Sequence, residues 1–216
     1  MEEGLLHYGL TSLVTLFMVV DPLGVAPLSV AITQGQPVAE RRVTLNRAVA
    51  IAFGVALFFL LVGRWLLSML GVSVHAFAIS GGILLFATAL PMLFGQRPGL
   101  QAPERAESPT AGESLAIFPL AIPLLSGPGT LATLLLLVDR ARDEVDRVAL
   151  LIGVTAVVYG LAWLILRVGE RIMRRLGQGK VHVLTRVLGI VLAALAVQYV
   201  LNGVTQYYQS LLPLKN

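Results

Sequence analysis

Asp21 lies in the run Phe17-Met-Val-Val-Asp21-Pro22-Leu-Gly24-Val25-Ala26-Pro27, a carboxylate in otherwise apolar surroundings. A carboxylate at membrane depth is costly; it marks a site for a coupling proton or a ligand ammonium, or it caps a helix near the cytoplasmic surface. About a hundred residues later the pattern recurs as Ile122-Pro123-Leu-Leu-Ser126-Gly127-Pro128-Gly129-Thr130. The two stretches align without gaps as Pro-Leu-x-x-x-Pro, Pro22 to Pro27 against Pro123 to Pro128. Asp21 then falls on Ile122 and Phe17 on Phe118. Proline suits the first turn of a helix, where its missing N–H costs nothing, and Asp, Ser and Gly are good caps before it. Each break therefore reads as the start of a second half-helix. Such an end carries partial positive charge and unpaired N–H groups, which suit a carboxylate. The predicted binding residues are Asp21, Gly24, Val25, Ala26 and Pro27 at the first break. At the second they are Ser126, Gly127, Pro128, Gly129 and Thr130. Pro22 and Pro123 are the structural breaks. An ionised Asp21 would repel a carboxylate docked beside it, which favours Val25–Pro27 or the Ser126–Thr130 turn for that group.

Gln198, Asn202 and Gln206 recur every fourth residue and form one polar face of a helix. They either join helices or line a path, and Gln198 and Asn202 are carried as binding candidates. Ser80-Gly81-Gly82 allows close approach of another backbone, with a broken helix as the expected partner. Asn46 reads as a helix cap. No catalytic pair and no metal-ligand spacing is present, and the chain has no cysteine. An intramembrane enzyme needs a partner for Asp21, and none is visible. The expectation is a protein that is not an enzyme and has no cofactor.

The elements that must position these residues follow from composition. Of 216 residues 56% are hydrophobic and 13% charged, about half the charge of a soluble domain. Several apolar runs approach the roughly 20 residues that cross a bilayer core. The lipid bilayer is the solvent, and nucleic acid is not an expected partner, because the bases cluster between spans. The spacing predicts six helices: Leu5–Thr33 with its break, Ala48–Leu67, Val74–Phe94, Leu115–Val138 with its break, Val148–Val168 and Val187–Tyr207. Gly95–Ser114 reads as a flexible linker and Gly169–Arg186 as a basic loop. With the N-terminus outside, eleven of the sixteen Lys and Arg residues fall on the inner side. Both termini are then expected in the periplasm or cell exterior. Arg171, Arg174, Arg175 and Lys180 read as an inside-positive anchor against anionic head groups.

Gly82-Ile-Leu-Leu-Phe-Ala resembles Gly189-Ile-Val-Leu-Ala-Ala, and Arg47 and Arg147 open helices at a similar offset. Together with the paired breaks this predicts an internal repeat. Residues 1–94 form one three-helix unit, 95–114 the linker, and 115–216 the second unit. Three spans per unit make the second inverted relative to the first, an architecture known in transporters. The expected fold is all-α and polytopic, with six spans as a 3+3 inverted repeat and broken helices 1 and 4.

Asp21-Pro22-Leu-Gly24…Pro27-Leu, Ile79-Ser80-Gly81-Gly82-Ile-Leu-Leu-Phe and Ala121-Ile122-Pro123-Leu…Ser126-Gly127-Pro128-Gly129-Thr130 are similar to signature stretches of the MarC family. The pattern from Arg186-x-x-Gly189 to Asn202-Gly203 extends the resemblance over nearly the whole chain. The chain departs from the family's pattern at Pro91. The resemblance implies a six-span inner-membrane protein with its site where helices 1 and 4 meet. It also implies a secondary transporter for a small neutral amino acid such as glycine or alanine. Beside a proton coupled through Asp21, the rival readings are a drug exporter and a passive channel. The small side chains around the breaks speak against a large drug cavity.

Overall fold

The computed structural model describes residues 4–33, 35–94, 116–141 and 144–211. It contains α1 (Leu5–Val20), α2 (Pro22–Ile32), α3 (Val38–Met69), α4 (Val74–Phe94), a π-helical segment (Ala116–Leu125), α5 (Pro128–Arg140) and α6 (Val145–Leu211). No strand occurs among the described residues. Five helical stretches are long and apolar enough to cross a membrane: Leu5–Val30, Val38–Met69, Val74–Phe94, Val145–Gly169 and Thr185–Gln209. The expected linker at 95–114 lies outside the described residues.

Two expected boundaries move. The second helix begins at Val38 rather than near Ala48. Polarity marks where a span leaves the apolar core, whereas Ala39, Glu40, Arg41 and Arg42 are good helix formers and continue the helix beyond it. Asn46 is therefore inside α3 and is not its cap. The expected basic loop at 169–186 is helical as well, so two predicted helices form one 67-residue element. A straight helix of that length would run about 100 Å and place Tyr159 and Tyr199 about 60 Å apart. Yet the Tyr159 hydroxyl bonds Leu125 O and the Tyr199 hydroxyl bonds Thr133, partners only eight residues apart. The axis of α6 therefore bends back on itself between Gly169 and Thr185.

The packing partners give the direction of each half. In the first half, Gly9 abuts Leu150 and Gly169 abuts Ala26, so this half runs parallel to α1 and α2. In the second half, Gly189 abuts Met92 and Gly203 abuts Ile79, antiparallel to α4. Tyr8, Arg64, Asp139 and Arg147 collect on one side. The Tyr8 hydroxyl donates to Leu137 O (2.9 Å), Arg64 pairs with Asp139 (3.9 Å), and Arg147 stands 5.8 Å over the Tyr8 ring. Asn46, Met92 and Trp163 mark the opposite side, where the bases of α3 begin.

Small residues set the helix spacing, as expected between helices in lipid. A Cβ on Gly82 would lie 2.8 Å from Ala196 O, and one on Gly189 would lie 3.4 Å from Ala89 O. The same glycine–alanine contact thus occurs twice, with the roles of α4 and α6 exchanged. The larger core gathers Leu16, Val20, Leu60, Leu120, Leu134, Leu151 and Leu166 from α1, α3, the π-segment, α5 and the first half of α6. A smaller one joins α4 to the second half of α6 around Leu85, Met92 and Leu192.

This close packing is testable. Gly82→Val should destabilise by about 1–3 kcal/mol, as overpacking of a tight contact does. Gly54→Val, at a glycine with open space around its Cα, should be nearly neutral. Unfolding of the purified protein in mixed micelles compares the two directly.

Candidate functional site

The first interruption is built from local geometry. Asp21 has a left-handed backbone (φ 45°, ψ 57°), and among the described residues no other non-glycine has positive φ. That region costs an L-residue roughly 1–2 kcal/mol, and Asp and Asn tolerate it because a short polar side chain can bond nearby backbone. The Asp21 N–H bonds Phe17 O at 3.0 Å and closes α1. Its carboxylate accepts the Gly24 N–H at 3.0 Å and caps α2. One residue therefore ends one helix and starts the next, with Pro22 in the first helical position. A Cβ on Gly24 would overlap Asp21 Oδ2, so the carboxylate can fold back only over glycine. The Asp-Pro-x-Gly spacing is explained by this turn. The amides at this end are largely committed: Gly24 N–H to the carboxylate, Val25 N–H to Asp21 O at 2.9 Å. Pro27 has no N–H and lies inside α2.

The second interruption differs in how its helix end is finished. The π-segment Ala116–Leu125 contains Pro119 and Pro123, which remove two donors from its ladder. Its wide winding shows in the Ser126 N–H bond to Ala121 O at 2.9 Å, five residues back. Gly127 is then the N-cap of α5, extended at φ −77° and ψ 171°, with Pro128 first in the helix. Glycine has no side chain with which to cap, so α5 begins without a side-chain cap. The ladder begins with Leu131 N–H on Gly127 O at 3.1 Å, which leaves the Gly129 and Thr130 amides at the open end. Gly127, Gly129 and Thr130 are all buried.

Ser126, expected as a cap, has another task. It is 1% exposed, and its hydroxyl donates to Ala52 O on α3 at 2.7 Å. It also shares a short hydrogen bond with the Tyr159 hydroxyl, which reaches Leu125 O at 3.1 Å. Ser126 therefore locks the break to α3 and α6.

Two more tyrosines grip the same half. Tyr199 donates to Thr133 Oγ1 at 2.9 Å, and Thr133 in turn to Gly129 O at 2.7 Å. Tyr8 bonds Leu137 O at the far end of α5. Three buried hydroxyls from three spans thus hold the segment Leu125–Leu137. These tyrosines are the positioning residues that sequence reasoning missed. Their signal was present as isolated tyrosines in apolar runs, since a buried hydroxyl usually requires a partner.

Gly81 behaves as expected: a Cβ there would overlap Ala132 Cβ and lie 3.3 Å from Pro128 O. The backbone of α4 therefore presses on the first turn of α5. Gln198 and Asn202 are not brought to the breaks. Gln198 Nε2 donates to Asn202 Oδ1 at 2.8 Å along its own helix. Gln198 is exposed, while Ala196, Tyr199 and Gly203 form the packed face. No group of three potential metal ligands occurs among the described residues. The side chains of Arg171, Arg174, Arg175 and Lys180 lie outside the described ones.

A family model described as MarC family integral membrane protein matches residues 6–208. The chain belongs to the MarC family. Among its relatives, UPF0056 membrane protein MJ1677 of Methanocaldococcus jannaschii is 32% identical over 199 residues, covering 92% of this chain and 97% of that protein. A UPF0056 membrane protein of Archaeoglobus fulgidus is 34% identical over 203 residues, 94% and 95% of the two chains. UPF0056 inner membrane protein YhgN of Escherichia coli K12 is 33% identical over 200 residues, 92% and 96%. No solved structure matches this chain. This MarC protein is accordingly an integral, multi-pass membrane protein.

The double role of Asp21 separates structure from charge. Asp21→Ala loses both the cap and the residue type suited to a left-handed turn, and should cost about 2 kcal/mol. Asp21→Asn keeps an acceptor for the Gly24 N–H and tolerates the turn, and should remain close to wild type. Thermal unfolding of both variants checks this order.

Proposed function

We propose that this MarC protein is a secondary transporter for a small neutral amino acid of the glycine and alanine class. The observation that carries the reading is the buried, uncapped N-terminus of α5 at Gly127–Thr130. A carboxylate there would accept from the Gly129 and Thr130 amides and gain from the helix dipole. Asp21, 9% exposed, has one oxygen committed to Gly24. Its other oxygen would take the substrate ammonium or a coupling proton. Gly24, Val25, Ala26, Gly129 and Ala132 are small, which suits a small side chain on the substrate. This division of labour resolves the repulsion between a carboxylate substrate and Asp21 by giving each break one charge.

In this reading the chain has six spans arranged as a 3+3 inverted repeat, the π-segment and α5 together forming the fourth. The exchanged Gly82–Ala196 and Gly189–Ala89 contacts support a two-fold relation between α4 and the second half of α6. The protein would sit in the inner membrane with both termini outside, by the distribution of its basic residues. Three tyrosines hold α5 to its neighbours, whereas the turn at Asp21 closes on itself. Tyr8 ties α1 to α5, so the moving element would accordingly be α2, beyond the turn at Asp21.

The test is uptake of radiolabelled glycine and L-alanine into proteoliposomes, with and without an imposed pH gradient, for wild type and Asp21→Asn. Saturable, gradient-driven uptake that falls at least tenfold in the well-folded variant is the expected result. Uptake retained in Asp21→Asn would remove Asp21 from coupling and substrate binding. Uptake that never saturates would indicate a channel.

A further inference from the structure

Between α3 and the first half of α6 lies an open groove of about 260 Å³. It is lined by Asn46, Val49, Phe53, Ala156, Tyr159 and Trp163, among others. From Asn46 to Phe53, and from Ala156 to Trp163, it runs about 10 Å along both helices. Its walls are mostly apolar, and it lies between two helical stretches long and apolar enough to cross a membrane. In a bilayer, an open apolar groove between two such stretches would meet lipid hydrocarbon.

One end of the groove is polar. Trp163 Nε1 donates to Asn46 Oδ1 at 2.7 Å and ties the two helices there. The Arg167 guanidinium lies 4.9 Å over the Trp163 ring. Arg42 is four residues before Asn46, and Arg167 four after Trp163. Both arginines therefore sit one turn beyond this pair, on the faces that line the groove. Both are exposed. An apolar groove thus ends in an indole under one guanidinium, with Arg42 one turn further along α3.

We infer that this groove is a binding site for one anionic glycerophospholipid. An acyl chain lies along Val49, Phe53 and Ala156, and the phosphate stands between Arg42 and Arg167. Basic pockets between spans suit anionic head groups, and an interfacial tryptophan is amphipathic at that level. Arginine matches a phosphate's geometry through its planar fork of donors. A zwitterionic lipid offers the same chains, but its cationic group meets the same two arginines unfavourably.

The site has a consequence for the second break. Tyr159 forms part of the groove wall, its ring 5.7 Å from Phe53, while its hydroxyl holds Leu125 and Ser126. A bound chain therefore packs against the residue that fixes the break.

The chain has two tryptophans, Trp65 and Trp163. Trp65 is exposed at the other end of α3, so Trp65→Phe leaves Trp163 as a sole reporter inside the groove. Quenching of its fluorescence by brominated phosphatidylglycerol is compared with quenching by brominated phosphatidylcholine in mixed bilayers. The expected result is a preference for phosphatidylglycerol of fivefold or more, falling to about one in Arg42→Gln/Arg167→Gln. Ala156→Phe, which fills the slot, should lower quenching by both lipids. Equal quenching by the two lipids in the Trp65→Phe protein would overturn the site. So would a preference that survives loss of both arginines. Relief of quenching by millimolar glycerol 1-phosphate would show a free-phosphate site instead. The readout does not depend on transport, so it stands or falls apart from the proposed activity.

Discussion

A helix interrupted inside a bilayer releases backbone N–H and C=O groups where no water can meet them, and protein must satisfy each one. The rest of this structure is arranged around that requirement. At Asp21 the solution is local. A left-handed residue with a carboxylate closes one helix and caps the next within four residues. At Ser126 the solution is tertiary. Tyr159 and Ala52, from two other spans, meet the carbonyl and hydroxyl groups at the break.

The two solutions have different mechanical consequences. A turn that satisfies itself imposes no fixed relation on its neighbours. A turn satisfied by hydroxyls from other spans can move only if those bonds break or travel with it. Tyr8, Tyr159 and Tyr199 therefore tie Leu125–Leu137 to three other spans. Gly81 strengthens this by bringing α4 onto the first turn of α5. In the proposed reading the open amides at Gly129 and Thr130 belong to this tied side of the site. The charged residue Asp21 belongs to the other side.

The breaks, the apolar spans and the glycine contacts were legible in the sequence because each depends on residue type at short range. Asp-Pro-x-Gly names its own turn, and Val74–Phe94 has the expected bounds. The true start of α3 at Val38 was not legible from polarity, because a helix can continue past the edge of the apolar core. Asn46 illustrates the difference: it looked like a cap beside Arg47, yet its amide serves Trp163 from another helix, 117 residues away. Gln198 and Asn202 illustrate the converse. Their spacing promised a polar face, and that face is real, but which way it points depends on the packed face of Ala196, Tyr199 and Gly203.

By itself the sequence determined an all-helical membrane protein of the MarC family, with an acid-bearing turn at residue 21 and a glycine–proline turn at 127–128. Hydrophobic run length, proline's missing donor and the left-handed tolerance of Asp are properties of the residues themselves. Only the tertiary structure decided which hydroxyl meets which carbonyl, that Ser126 is a lock and not a cap, and that α5 is left uncapped. It also decided that α3 and α6 leave a groove beside Asn46 and Trp163. Those outcomes depend on how distant helices lie against one another, and in lipid that is set by small-residue contacts and buried hydrogen bonds whose partners no local pattern names.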